Sequence, residues 1–153
     1  MITEDQLEQL CLEWFREQDY DIIYEPDIAP DSDNPERKDY SGVVLRGRLD
    51  DSLQRINKGI PYFAIEDAVD QILTPQHHSL IKNNQAFHKM MIDGVSVVYE
   101  MDGEKRGDTV KLIDFNNTAN NQFLAVNQYT IKGIKQPRRP DIIVFINGLP
   151  LFV

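Results

Sequence analysis

The sequence predicts an α+β chain whose last strands close as an antiparallel hairpin. Three observations carry that prediction. Apolar residues recur at helical spacing between Leu7 and Met91. Runs rich in β-branched and aromatic residues follow, with no βαβ alternation between them. Asn147-Gly148 separates two such runs, Ile142–Ile146 and Leu149–Val153. Asn-Gly suits both central positions of a type I′ turn, because each must take positive φ.

The elements follow in order. Thr3-Glu4-Asp5-Gln6 has the form of a capping box, with Thr3 as N-cap and Gln6 reaching back from the third helical position. Leu7, Leu10, Cys11, Trp14 and Phe15 then form the apolar stripe of an amphipathic helix. Glu4, Glu8 and Glu13 lie off that stripe, where an acid is ordinarily there for solvation. Tyr20–Glu25 reads as a short strand, and Ile28 to Asn34, rich in Pro, Asp and Ser, as an exposed loop. A short helix with Leu49, Leu53 and Ile56 on one side is predicted next. A second helix after Pro61 uses Ala64, Ala68, Val69 and Ile72. A third, from about Pro75 to Ile92, carries Leu80, Phe87 and Met91, with Gly94 as its left-handed cap. Val95–Glu100 and Thr109–Phe115 are strand-like, with a polar tip between them that contains Asp102-Gly103. Four asparagines between Asn116 and Gln122 suit an irregular turn. Phe123–Thr130 is a further strand candidate, and Asn127-Gln128 falls near its end.

Composition narrows the class. A chain of 153 residues is expected to form one domain around one core. Hydrophobic content of 41% and charged content of 27% are ordinary for a soluble globular protein. No apolar run approaches the ~20 residues of a membrane span, and the N-terminus has no basic region followed by an apolar one. The single cysteine, Cys11, excludes a disulfide framework within the chain. A cytoplasmic protein is expected. The net charge of −9 argues against an autonomous nucleic-acid binder, which usually carries a basic face. The charge is uneven, however. Residues 1–36 are strongly acidic, whereas residues 129–140 contain Lys132, Lys135, Arg138 and Arg139 and no acid.

Phosphate-loop, dinucleotide and serine-hydrolase motifs are all absent. His77, His78 and His88 lack the spacing of a metal site and read as structural or surface residues. The polar residues with chemical promise converge on the C-terminal hairpin. Pro140-Asp141 opens its first strand behind four positive charges. Asp141 either pairs with Arg138 or Arg139 at a strand start, or serves as a hard-cation ligand, since Mg²⁺ favours one or two carboxylates with water and phosphate. The second strand stops in mid-run at Val153, so the chain reads as C-terminally incomplete.

Arg138 to Val153, R-R-P-D-I-I-V-F-I-N-G-L-P-L-F-V, resembles the nuclease motif in the N-terminal region of the R (restriction and translocation) subunit of type I restriction enzymes. Glu36 to Ser41 with Val43 to Leu45, Asn83 to His88, Leu112 to Phe115 and Asn120 to Gln128 agree with that family. The resemblance spans essentially the whole chain. It implies a PD-(D/E)xK nuclease domain with a restriction-endonuclease-like fold, a central mixed sheet with flanking helices. Asp141 would correspond to the aspartate that binds catalytic Mg²⁺. The E-x-K half of the motif would follow Val153 almost immediately. Glu8 is the best match to the acid such folds often contribute from their first helix, with Glu4 close enough to compete. Arg138, Arg139, Lys132 and Lys135 are the expected DNA-backbone contacts, with a solvated basic patch or an inter-domain contact as the alternative.

The implied activity is Mg²⁺-dependent cleavage of double-stranded DNA, coupled to ATP-driven translocation by a motor further along the polypeptide. The implied partners are the modification and specificity subunits, and no membrane. A 153-residue piece ending before E-x-K is expected to be inactive and to bind metal weakly. The alternative, from another class, is a non-catalytic docking module for those subunits. The hairpin carries one sharper expectation. A regular ladder would set Asp141 opposite the first residue after Val153, one short of the motif glutamate. A β-bulge would restore the register, and Pro150, which cannot donate to the ladder, is its likeliest place.

Overall fold

The structure, a computed structural model, describes residues 2–153. Five helices are described: α1 (Glu4–Glu17), α2 (Glu25–Ile28), α3 (Arg46–Ile56), α4 (Tyr62–Leu73) and α5 (Leu80–Asp93). The strands are β1 (Asp21–Tyr24), β2 (Val95–Met101), β3 (Glu104–Val110), β4 (Phe123–Asn127), β5 (Ile131–Lys132), β6 (Pro137–Arg138), β7 (Ile142–Ile146) and β8 (Leu149–Phe152). The fold is α+β with a central mixed sheet, as the sequence and its resemblance implied. No described helix is long and apolar enough to cross a membrane. The chain divides into two compact units, Asp50–Asn121 and the remainder.

The unit formed by the N-terminal segment up to Leu49 together with Gln122–Val153 holds the sheet, in the order β1-β4-β7-β8. β1 lies parallel to β4, and the other neighbours are antiparallel. Alternation along β4 gives the sheet two faces. Leu124 and Val126 share one face with Phe145 and Ile143, their ladder partners. Ile28, Leu45 and Tyr129 close the core over it. Phe123, Ala125 and Asn127 point to the other face. Ring contacts run from there through Tyr20 to Phe15 of α1, at centroid distances of 5.3 and 5.2 Å.

The capping box of α1 forms as predicted: Gln6 N donates to Thr3 Oγ1 and Thr3 N donates to Gln6 Oε1. The buried face of the helix does not follow the apolar stripe. Leu12 is its one fully buried residue. Glu8, Cys11 and Phe15 are half-buried beside it, while Leu7, Leu10 and Trp14 are more than half exposed. The face that meets the sheet is therefore 8, 11, 12 and 15, rotated from the predicted one, and it includes an acid. On that face Glu8 meets the side-chain amides of Asn127 and Gln128.

Between β1 and α3 the chain is held by ion pairs that spacing did not suggest. Arg37 and Glu25 form a buried pair, with Arg37 packed 3.9 Å from the Tyr129 ring. Arg48 bonds both carboxylate oxygens of Glu36. The β7–β8 turn is type I′ as predicted, with φ of 53° at Asn147 and 80° at Gly148. Ile146 pairs with Leu149 and Phe145 with Pro150, then Val144 pairs with Phe152. Leu151 is thus the extra residue of a bulge, immediately after the proline expected to provoke it.

The other unit, Asp50–Asn121, packs α4 on the β2–β3 hairpin. Ala64, Ile65, Ala68 and Val69 are buried, as are Val95 and Val97. Asn57 ties a helix end to the loop after β3, donating to Leu53 O and Lys111 O and accepting from Lys111 N. Several boundaries differ from those predicted. The hairpin turns tightly at Asp102-Gly103, so the polar stretch from Glu104 to Asp108 is strand, and strand pairing ends at Val110. The third predicted helix starts at Leu80, with no buried residue and with Leu80 exposed. Gly94 has positive φ, but its ψ of −176° makes it an extended exit and not a left-handed cap. A Cβ there would lie 2.7 Å from Val110 O. Asp114 holds the asparagine-rich turn through Asn116, Asn117 and Asn120, which lowers its pKa.

Candidate active site

One end of the β4–β7 pair is polar. After four apolar positions, β4 closes on Asn127, followed by Gln128. Gln128 has a φ of 55°, in the left-handed region that side chains other than Asn and Asp enter rarely. Its N–H donates to the carbonyl of Asp141 at 2.8 Å, one step beyond the last ladder pair, Asn127–Ile142. Asp141 therefore stands just outside β7, at the head of the strand as the sequence predicted, and is exposed. Its side chain forms no ion pair with Arg138 or Arg139 among the described residues. The strand-start pairing that would have explained it without function is absent.

Glu8 reaches this end of the sheet from the second turn of α1. Asn127 Nδ2 donates to its Oε1 at 3.0 Å, and Gln128 Nε2 donates to its Oε2 at 2.7 Å. Glu8 and Asp141 line one open cleft of about 400 Å³ with Glu4, Asp5, Gln9, Gln128 and Arg139. Four carboxylates against one guanidinium leave a negative cleft, which favours a cation and repels bare phosphate. By strict alternation Asp141 belongs to the sheet face opposite Asn127. Both carboxylates line the cleft, with Asp141 past the ladder, in a bend at the end of the sheet.

The predicted basic residues do not all share one surface. Arg139 joins the cleft. Lys132 sits 4.3 Å from the centroid of the Tyr40 ring. Arg138 pairs with Ile131 and Lys132 with Pro137 in the β5–β6 ribbon, so Lys132 and Arg138 fall on opposite faces of it. Lys135 is exposed in the connection between those strands. Tyr40 donates to Asp31 Oδ1 at 2.6 Å, which lowers the Asp31 pKa and raises that of Tyr40.

The resemblance implies Mg²⁺. The cleft offers oxygen donors, the carboxylates of Glu8 and Asp141 among them; the Oδ1 of Asn127, which has no hydrogen-bond partner, is buried and does not line it. Among the described residues no three His, Cys, Asp or Glu side chains gather closely enough to hold a metal ion. Oxygen donors with at most two carboxylates fit Mg²⁺, which retains water and substrate phosphate as its other ligands. They do not fit Zn²⁺, which favours nitrogen and sulfur. His77, His78 and His88 are exposed and lie in the other unit.

Sequence reasoning missed Asn127 and Gln128 as the residues that hold Glu8. The signal available was an amide pair ending an otherwise apolar strand.

Fold and cleft define a class: a mixed α+β domain in which a helix carboxylate and a strand-head carboxylate converge at the end of the central sheet. Residues 1–153 match the family described as Type I restriction enzyme R protein N terminus, and the chain belongs to that family. It is 36% identical over 154 residues to the type I restriction enzyme HindI endonuclease subunit of Haemophilus influenzae. It is 27% identical over 156 residues to the putative type I restriction enzyme MjaIXP endonuclease subunit of Methanocaldococcus jannaschii. The alignments cover 100% and 99% of this chain, which spans 15% of the length of each relative.

Proposed function

We propose that residues 1–153 form the DNA-cleaving region of a type I restriction enzyme R subunit, acting on double-stranded DNA with Mg²⁺. The observation that carries this reading is that Glu8 and Asp141 line one cleft at the end of the sheet. Asp141 and Glu8 would hold the ion. Bound there, Mg²⁺ supplies charge neutralisation at the scissile phosphate and a water of lowered pKa. Arg139 contacts a backbone phosphate at the cleft edge, and Arg138 and Lys135 extend that contact without reading sequence. Lys132, stacked on Tyr40, shapes the base of the ribbon. ATP-driven translocation belongs to other parts of the longer polypeptide, and site recognition and methylation belong to the specificity and modification subunits.

The bulge supports the same reading. Val144 pairs with Phe152, so continuing the ladder sets the second residue after Val153 opposite Asp141. That is where the resemblance places the motif glutamate. Without the bulge, the glutamate would face the other side of the sheet.

The test uses the full-length polypeptide with its partner subunits. Asp141→Ala is expected to abolish DNA cleavage while leaving ATP hydrolysis intact. Cleavage at the unaltered rate would overturn the reading.

A second reading, docking of the modification and specificity subunits, is favoured by one observation. Leu7, Leu10 and Trp14 of α1 are more than half exposed. Under that reading Trp14→Asp weakens assembly in a pull-down of the complex, and normal assembly would remove its support.

A further inference from the structure

In an extended strand, successive side chains point to opposite faces. Asn127 and Gln128 do not: both donate to the same carboxylate, one to each oxygen of Glu8. The positive φ of Gln128 makes this possible by turning its side chain back toward α1. Meanwhile its N–H stays on the carbonyl of Asp141. One residue, in an unfavourable backbone conformation, thus touches both of the segments that carry the carboxylates of the cleft. Backbone outliers of this kind persist where the surrounding structure over-determines them, and they concentrate at functional sites. Each oxygen of Glu8 still has a lone pair free after accepting one hydrogen bond.

We propose that Gln128 is a positioning residue, which fixes the Glu8 carboxylate in line with Asp141 so that the divalent-cation ligands are arranged before the ion arrives. This rests on the nuclease reading. A first ligand shell held in place by such outer hydrogen bonds binds metal more tightly than a loose one, typically by 10- to 100-fold.

The informative variant is Gln128→Gly, because glycine takes positive φ without strain. In the full-length polypeptide with its partner subunits, Gln128→Gly is expected to raise the Mg²⁺ concentration for half-maximal cleavage about tenfold or more. Mn²⁺ affinity, read by electron paramagnetic resonance on the nucleotide-free polypeptide, is expected to weaken by a similar factor. The Tm is expected to be unchanged or higher. Gln128→Ala should show the same metal defect with a lower Tm, since it keeps the strain and loses the hydrogen bond. Asp141→Ala runs alongside. If Asp141→Ala is inactive while Gln128→Gly keeps the unaltered Mg²⁺ dependence and Mn²⁺ affinity, the positioning role is overturned and the nuclease reading stands. A fall in Tm for Gln128→Gly without a metal defect also overturns it. If Asp141→Ala cleaves normally, the nuclease reading falls and takes this inference with it.

Discussion

Two asparagines close the two ends of the same strand pair, and they are treated differently. At the turn end, Asn147 is fully buried. Its N–H donates to Gln122 O at 2.9 Å and its Oδ1 accepts from Gln122 N at 2.8 Å, so side chain and backbone together imitate one more rung of the ladder. At the cleft end, Asn127 is almost as buried, yet its Oδ1 has no partner and its Nδ2 is committed to Glu8 across the gap to α1. A satisfied amide rigidifies a fold, and a half-satisfied one is a local cost. Local rules are broken where function requires it. The turn end is built for stability, and the cleft end for holding a carboxylate.

Gly148→Ala breaks the comparison at its stable end and has the largest expected effect on folding. The new Cβ would lie 2.5 Å from Leu45 O and 2.7 Å from Leu49 N, both backbone atoms that cannot swing aside. It would also have to adopt a φ of 80°. A loss of about 3–5 kcal/mol is expected, the range in which strain and overpacking combine. Urea denaturation of the 153-residue protein measures it. A loss below about 1 kcal/mol would mean that the turn end adapts more readily than its packing implies.

The asparagines themselves sharpen the contrast. Asn147→Ala leaves the part-buried N–H of Gln122 without its acceptor and is expected to cost about 2 kcal/mol. Asn127→Ala removes one hydrogen bond to Glu8 but also removes an unsatisfied buried oxygen. Its net effect is expected to lie within about 1 kcal/mol of zero. Under the proposed nuclease reading, the order reverses for cleavage by the full-length polypeptide: Asn127→Ala should slow it, and Asn147→Ala should leave it intact wherever the protein stays folded. Denaturation midpoints beside cleavage rates decide the point. Equal destabilisation by the two changes would erase the distinction.

How much of this was legible in the sequence follows the same division. The turn end was legible because its rules are local. Asn-Gly dictates positive φ twice, a proline disturbs the ladder beside it, and the bulge falls at the next residue. The capping box at Thr3 was equally local. The place of Asp141 at the head of the strand was legible, although its exposure was not. The orientation of α1 was not legible, because Leu7, Leu10 and Trp14 make a better apolar stripe than the face that packs. The face that packs includes Glu8, whose partner Asn127 lies over a hundred residues away, and no periodicity carries that information. The Arg37–Glu25 pair was hidden for the same reason: its partners meet only through the loop that joins β1 to α3.

The last difference between the two ends is invisible at neutral pH. Tyr129, next to Gln128, is fully buried, with its hydroxyl donating to Val43 O at 3.0 Å. Burial pushes its pKa up to about 12, with the Arg37 guanidinium pulling the other way and Glu25 and Glu36 adding to the rise. In the unfolded chain the phenol ionises near its ordinary value of about 10. The folded value is the higher one, so the folded state binds more protons between the two. Stability from this group is therefore complete below pH ~10 and drains away as pH rises through about 12. The turn end, built from Gln122, Asn147 and Gly148, has nothing to titrate. Tyr129→Phe should flatten the alkaline fall in the denaturation midpoint while costing about 1 kcal/mol at neutral pH through the lost bond to Val43. If the variant falls as steeply as the parent over that window, the alkaline sensitivity lies elsewhere, and Tyr40 and Tyr99, each hydrogen-bonded to a carboxylate with its pKa raised, are the groups to replace next.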